Sequence, residues 1–374
     1  MTVPGVDRPP RRARWWLLVV GVLVVIGVVA GAVAAVVAVE PRRSAAPPAD
    51  STNVIVSLSP VGGQLPEGGT QTRENAHLQV AEAAADGARG IRVTADVSWL
   101  CGADRRCTTD PIDPLVERAT GLGLRVYLHV NSTPGWMDGR GTWYAPLGPD
   151  ADVWADLFAQ FVERFGTQVA GYEVWNEPNN DSAWRQGPDP QAYAYLLRAV
   201  WSAADAVEPE AQIIGGVLSN NDLGYMHALS GALAELGGDA GNRFFYDQLG
   251  VHPYAGDDDE GYDPQTAAGS RDVETHLGTK DMTFLGLERL REQVHEDEGI
   301  WRDVVVGEFG YDTTPGSWYF VPEPVRSAYL VAALRRSADW PWVAGFTLYT
   351  GEGFAIDGTA SAAVLRADAG DRES

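Results

Sequence analysis

The chain of 374 residues is long enough for one large α/β domain or two small ones. Its net charge of −23 is unevenly spread: residues 1–43 hold six arginines against Asp7 and Glu40, a net +4, which leaves −27 for the rest. A remainder that acidic would be repelled by a phosphate backbone, so nucleic acid is excluded as the partner.

The first organised stretch runs from Trp15 to Val39 and carries no charge. As a helix it would extend roughly 37 Å at 1.5 Å per residue, enough to cross a bilayer with some tilt. Arg8, Arg11, Arg12 and Arg14 precede it, and the stronger basic flank stays in the cytoplasm. The apolar core is too long for a cleaved signal peptide; if it were cleaved, the protein would be secreted. The reading is therefore a basic cytoplasmic tail at 1–14, a single-pass anchor at 15–39, a Pro- and Ala-rich linker at 40–50, and a domain outside the membrane at 51–374.

Cys101 and Cys107 are the two cysteines, and they share one short loop. Outside the cytoplasm such a pair predicts a local disulfide. No second pair and no nearby His completes a zinc site.

From residue 50 onward, short β-branched runs alternate with longer helical patterns. Strands are expected at Val54–Leu58, Gly90–Val97, Arg125–Val130, Gly171–Trp175, Ile213–Val217, Phe245–Val251, Val304–Gly307 and Ala344–Tyr349. Helices are expected at Asn75–Asp86, Pro114–Gly121, Ala151–Phe165, Pro190–Ala206, Tyr225–Leu236, Thr283–Glu296 and Val325–Ala338, with a weak last one at Thr359–Arg366. Eight βα units in one domain predict a (β/α)8 barrel, the TIM barrel. A doubly wound sheet would want a glycine-rich phosphate turn after the first strand; Ser57 to Gly63 lacks that spacing.

A barrel of this kind carries its site at the C-terminal ends of its strands, and the informative residues fall there. The fourth strand runs into Asn176-Glu177-Pro178, where proline stops a central strand. The seventh ends in Gly307-Glu308-Phe309. Two carboxylates facing an aromatic-walled cleft suit glycoside hydrolysis, in which retaining enzymes hold the pair about 5–5.5 Å apart. In that reading Glu308 attacks and Glu177 donates and later accepts a proton. Arg92 on the second strand would favour ionised Glu308, because an adjacent cation lowers a carboxyl pKa. Glu177 has to start protonated, so its surroundings should be drier or nearer negative charge. Asn176 could bind a sugar hydroxyl, and His252 or Tyr254 could orient Glu308. His129 ends the third strand at the mouth. Trp136 and Trp184 are the best candidates for sugar platforms among the loop aromatics, which also include Trp143, Tyr144, Tyr311, Trp318 and Tyr319. Trp154, Trp201 and Trp301 read as core. The acidic run Asp257–Glu260 reads as a solvated loop rather than a calcium site.

Tyr172-Glu-Val-Trp-Asn-Glu-Pro-Asn179 resembles the acid/base strand of clan A glycoside hydrolases, Val306-Gly-Glu-Phe-Gly310 their nucleophile strand, and His252-x-Tyr254 their sixth-strand motif. Ala145–Asp150, Trp154 and Val162–Gly166 are similar to the approach to strand 4 in glycoside hydrolase family 39 and cellulase-like proteins. The resemblance implies a retaining (β/α)8 enzyme with Glu177 as acid/base and Glu308 as nucleophile. It implies that Asn176, His252, Tyr254 and Arg92 line the site. Many members end the eighth strand in a Trp that floors the sugar subsite; here Tyr349 stands in its place. The expected substrate is a β-linked polysaccharide or oligosaccharide, with no metal or organic cofactor. The alternatives are a catalytically silent glycan-binding barrel and a transglycosylase acting on envelope polysaccharide.

Overall fold

The computed structural model describes residues 53–64, 69–255, 271–317, 319–349 and 354. The expected anchor at 15–39, the acidic run 257–260, Trp318 and the expected helix 359–366 lie outside these residues. Among the described residues no helix is long and apolar enough to cross a membrane.

In chain order the elements are β1 (Val54–Leu58), α1 (Arg73–Ala85), β2 (Gly90–Asp96), α2 (Val97–Leu100), α3 (Asp113–Gly121), β3 (Arg125–Asn131), α4 (Gly135–Asp138), α5 (Pro149–Phe165) and β4 (Gly171–Val174). There follow α6 (Pro190–Val207), β5 (Ile213–Ser219), β6 (Asn221–Asp222), α7 (Leu223–Glu235), β7 (Gln248–His252), β8 (Asp272–Thr275), β9 (Gly278–Asp281), α8 (Gly286–Glu298), β10 (Val304–Phe309), α9 (Glu323–Ala338) and β11 (Val343–Leu348). Eight parallel strands close in the order β1-β2-β3-β4-β5-β7-β10-β11 and back to β1. This is the expected (β/α)8 barrel. The strand expected from Phe245 begins only at Gln248, because Arg243–Phe245 form a 3-10 turn with all three residues at positive φ. The small antiparallel sheet β6-β9-β8 was not expected; its strands are too short and polar to show a period.

Helix starts follow local chemistry. Thr72 caps α1 through the Asn75 amide, and Asp189 caps α6 just before Pro190. The strands are β-branched on both faces because both faces are buried. Outward residues such as Val93, Leu128 and Val174 pack with Trp154, Phe158 and Phe161 of α5 in the main core. Inward residues Ile55, Tyr127, Ile214, Val217, Val305 and Ala344 form a separate apolar plug inside the barrel. Above that plug the interior turns polar, with Arg92, His129, Glu173 and His252 all buried.

Two bulges shape the mouth. On β10, Val306 pairs with Phe346 and Phe309 with Leu348, so three steps on one strand match two on the other. The extra residue breaks the in–out alternation after inward Gly307, and Glu308 also turns to the interior instead of into the helix layer. On β5, Gly216 and Leu218 pair with successive residues of β7, leaving Val217 as the extra residue at φ 48°.

Candidate active site

Glu177 is fixed by its backbone before its side chain. Trp175, at φ 68°, turns outward against Trp154 and Trp184 instead of continuing the alternation. Its N–H donates to the Val130 carbonyl at 2.9 Å. Glu177, at φ 42°, donates its N–H to the carbonyl of the bulged Val217 at 2.9 Å. Backbone in this region costs on the order of 1–3 kcal/mol per residue and concentrates at functional sites. Asn179 ties the following turn to β5 by exchanging hydrogen bonds with Ser219, and it donates to Asp222 at 3.0 Å. Lys280 of β9 lies 3.5 Å from the same Asp222 carboxylate.

Both carboxylate oxygens of Glu177 are engaged. His252 Nδ1 lies 3.0 Å from Oε1, and Asn180 donates to Oε2 at 2.8 Å. Glu308 faces it across the mouth. Arg92 Nη1 donates to Glu308 Oε1 at 3.2 Å, and the Tyr254 hydroxyl donates to Oε2 at 3.0 Å. His252 Nδ1 is 3.8 Å from Glu308 Oε2. Single ligand atoms of Glu177, His252 and Glu308 lie within 4.8 Å of one another. The three could offer ligands to a metal ion, but the guanidinium beside Glu308 already supplies a cation. The two carboxylates therefore face each other at short range across the mouth.

Glu177 has the expected dry setting, but its neighbours oppose the effect of that setting. Burial pushes its carboxyl up, but the His252 hydrogen bond and charge, with Asn180 and Lys280, outweigh burial and leave it below the ordinary value. Burial pushes His252 down, yet Glu308 and the Glu177 hydrogen bond carry it above the ordinary value. The proton of this pair therefore rests toward the imidazole. Burial and the histidine beside the carboxylate thus act in opposite directions on its charge.

The other expected residues divide. Asn176 stands beside Glu177 with a buried Oδ1 that has no hydrogen-bond partner, as an acceptor waiting for a substrate hydroxyl would. Tyr254 is buried, and its ring lies edge-on to Tyr349 at 6.3 Å. Burial and then Glu308 raise the Tyr349 phenol, which places that residue at the site. His129 is buried below the mouth with Thr94 Oγ1 at 3.4 Å. Burial and then Arg92 hold it well below its ordinary value, so it is a neutral interior residue. Trp136 keeps an exposed ring, its Nε1 bonded to the Cys101 carbonyl at 3.0 Å. Trp184 is not a platform. It is fully buried, edge-on to Trp175 at 5.8 Å and Tyr193 at 5.9 Å, because the loop after β4 folds it under α6. Tyr311 is likewise core. Trp301, expected in the core, is 53% exposed and stacks on His295. Cys101 and Cys107 form the expected disulfide.

Sequence reasoning passed over Glu173. It lies on the inward face of β4, fully buried, and holds Arg92 through Nε and Nη2, the latter at 2.6 Å. A single charge inside an apolar run was the signal. Asn179, Asn180 and Lys280 were also passed over; only the fold brings Lys280 near Glu177.

No model of a known protein family matches the chain. A family 39 glycoside hydrolase from Bacteroides cellulosilyticus is similar at TM-score 0.59 and 17% identity, over 86% of this chain and 64% of that one. The chain shares its (β/α)8 fold with this family 39 glycoside hydrolase. The family 39 enzyme from Xanthomonas axonopodis pv. citri matches at TM-score 0.57 and 17% identity, over 82% of this chain and 61% of its own. A monomeric β-xylosidase from Caulobacter crescentus matches at TM-score 0.54 and 17% identity, over 83% and 62%. A curated β-xylosidase of Geobacillus stearothermophilus is 29% identical over 117 residues, 28% of this chain and 23% of that protein. The chain thus spans less than two thirds of the length of these relatives.

Proposed function

We propose that the chain is a retaining glycoside hydrolase acting on a β-linked saccharide. The observation that carries this is the pair Glu177 and Glu308, whose facing oxygens lie within 4.8 Å at the mouth of a (β/α)8 barrel. Glu308 attacks the anomeric carbon and forms a glycosyl-enzyme bond as the leaving oxygen takes a proton from Glu177. Glu177 then draws a proton from water, which displaces the sugar from Glu308. Arg92 and Tyr254 fix the two oxygens of the nucleophile, so little reorganisation is left for the reacting complex. His252 holds the proton it shares with Glu177 until the sugar displaces water and returns it to the carboxyl. Asn176 receives a hydroxyl next to the bond being cut.

The names of two relatives make β-xylosides the first substrates to try. The apolar stretch 15–39 supports a single-pass anchor with the catalytic domain outside, and the Cys101–Cys107 disulfide supports an oxidising compartment for that domain.

The test incubates the protein with aryl β-xylosides, xylans, β-glucans, mannans, galactans, arabinans and envelope polysaccharides while new reducing ends are followed. The expected result is release by the wild type and none by Glu308→Gln. Binding of one glycan without release by the wild type would replace this reading with a silent glycan-binding barrel, and sugar transfer in place of release would make the chain a transglycosylase.

A further inference from the structure

We propose that Glu173 is a positioning residue that competes with Glu308 for Arg92 and thereby leaves the nucleophile a single guanidinium donor. The inference rests on the reading of Glu308 as nucleophile.

The geometry is specific. Arg92 presents its Nε and Nη2 edge to Glu173, with contacts of 3.0, 3.1 and 2.6 Å. Only Nη1 remains directed at Glu308, at 3.2 Å. The fork-on-fork contact with Glu173 is the stronger geometry, and the contact with Glu308 is the weaker. Glu173 cannot meet a sugar, because it is fully buried beneath the mouth while the Glu308 side chain is 15% exposed. A Cβ on Gly307 would meet His252 Nε2 at 2.9 Å and Glu173 Oε1 at 3.2 Å, so the space around Glu173 is full.

Stability alone gives weak grounds for such a pair. Replacing a buried ion pair by packed apolar residues is often neutral or stabilising. Its effect on Glu308 is concrete. With Glu173 charged, the Arg92 charge is largely neutralised before it reaches the nucleophile. Without that charge, Arg92 belongs wholly to Glu308. A carboxylate that gains a second guanidinium donor, beyond the single Arg92 contact and the Tyr254 hydroxyl that already hold it, gives up lone-pair density needed at the anomeric carbon. The other charged and titratable groups facing Glu308 are His252 and Tyr254 from β7 and its loop, Tyr349 after β11, and Glu177 after β4. None of them contacts Arg92 as Glu173 does.

The test makes Glu173→Gln in the full chain, which keeps the shape and removes the charge. On a glycoside the wild type cleaves, kcat should fall about tenfold or more while KM stays within about threefold. The acidic limb of kcat/KM should move to lower pH. A crystal structure of the variant should show the guanidinium turned so that both Nη atoms meet Glu308. In an Arg92→Gln background, Glu173→Gln should add little further loss, because the two act as one unit. Glu173→Asp keeps the charge but retreats from Arg92, so its kcat should be intermediate; it decides the matter if the Gln variant does not fold. Wild-type kcat and pH profile in Glu173→Gln, an unmoved Arg92, or a loss seen only in melting temperature would overturn the proposal. If the wild type is silent on every glycan, the function reading fails, and the position of Arg92 in the crystal still decides this one.

Discussion

Glu177, Glu308 and His252 carry the sharpest expectations at the scale of single residues. Glu308→Gln removes the attacking oxygen and should lower kcat to background, read from reducing-end release. Glu177→Gln removes the proton donor. Its loss of about 10²–10⁴ in kcat/KM should appear on saccharide leaving groups and largely vanish on activated aryl glycosides, where kcat still falls because the second step lacks its base; equal losses of kcat/KM on both would deny it the acid role. His252 makes a pH prediction for stability. The Glu177 carboxyl is lowered on folding, so its contribution is present above the unfolded carboxyl value of about 4.3 and fades as pH falls through the lower folded value. The His252 imidazole is raised, so its contribution is complete below about 6.5 and fades as pH rises through the higher folded value. The melting-temperature difference between wild type and His252→Gln should therefore peak between about pH 4.3 and 6.5 and shrink on both sides. A flat difference would mean that the contact carries no charge coupling.

At the scale of elements, the mouth is built by breaks in regular strands. The bulge in β10 turns Glu308 inward beside Gly307, and the bulge in β5 presents the Val217 carbonyl to Glu177. Gly307→Ala should destabilise by roughly 1–3 kcal/mol, since its methyl meets the packed His252 and Glu173 side chains. Denaturant unfolding checks this, and an unchanged midpoint would show that the layer has slack. These breaks also mark what the sequence could convey. All eight barrel strands were legible because β-branched runs between polar turns survive without any knowledge of neighbours. Glu177 and Glu308 were legible because each ends such a run. The bulges were not, because pairing register is a property of two strands and each run was read alone. Trp184 misled for a similar reason: an aromatic in a loop looks the same whether the loop lifts it to solvent or folds it under α6. Glu173 shows in the sequence as a single charge inside an apolar run, but its role appears only once its partner, Arg92 on another strand, is placed beside it.

At the scale of the molecule, the barrel separates stability from chemistry. The apolar plug and the helix layer hold the strands, and the polar ring above the plug holds Arg92, Glu173 and His252. The disulfide sits in the loop that also anchors Trp136, and closing so short a loop is worth about 2 kcal/mol in the chain-entropy account. Removing it by Cys101→Ala with Cys107→Ala should lower the melting temperature by a few degrees without touching kcat on a small aryl glycoside. Activity on long polymers should fall if the Trp136 ring meets their outlying sugars. Equal effects on short and long substrates would leave the loop a purely structural staple.

Lys280, on the small sheet against Asp222, is the one lysine in the sequence, and its side chain is 17% exposed. Among side chains the sequence therefore offers amine chemistry a single handle, and that handle lies close enough to Glu177 to bias its charge. Random coupling to an activated surface or dye would not be random here. Molecules caught at Lys280 would be attached close to Glu177, at the end of the barrel where the two carboxylates meet. A preparation immobilised this way would divide into active and blocked populations by the chemistry of one side chain.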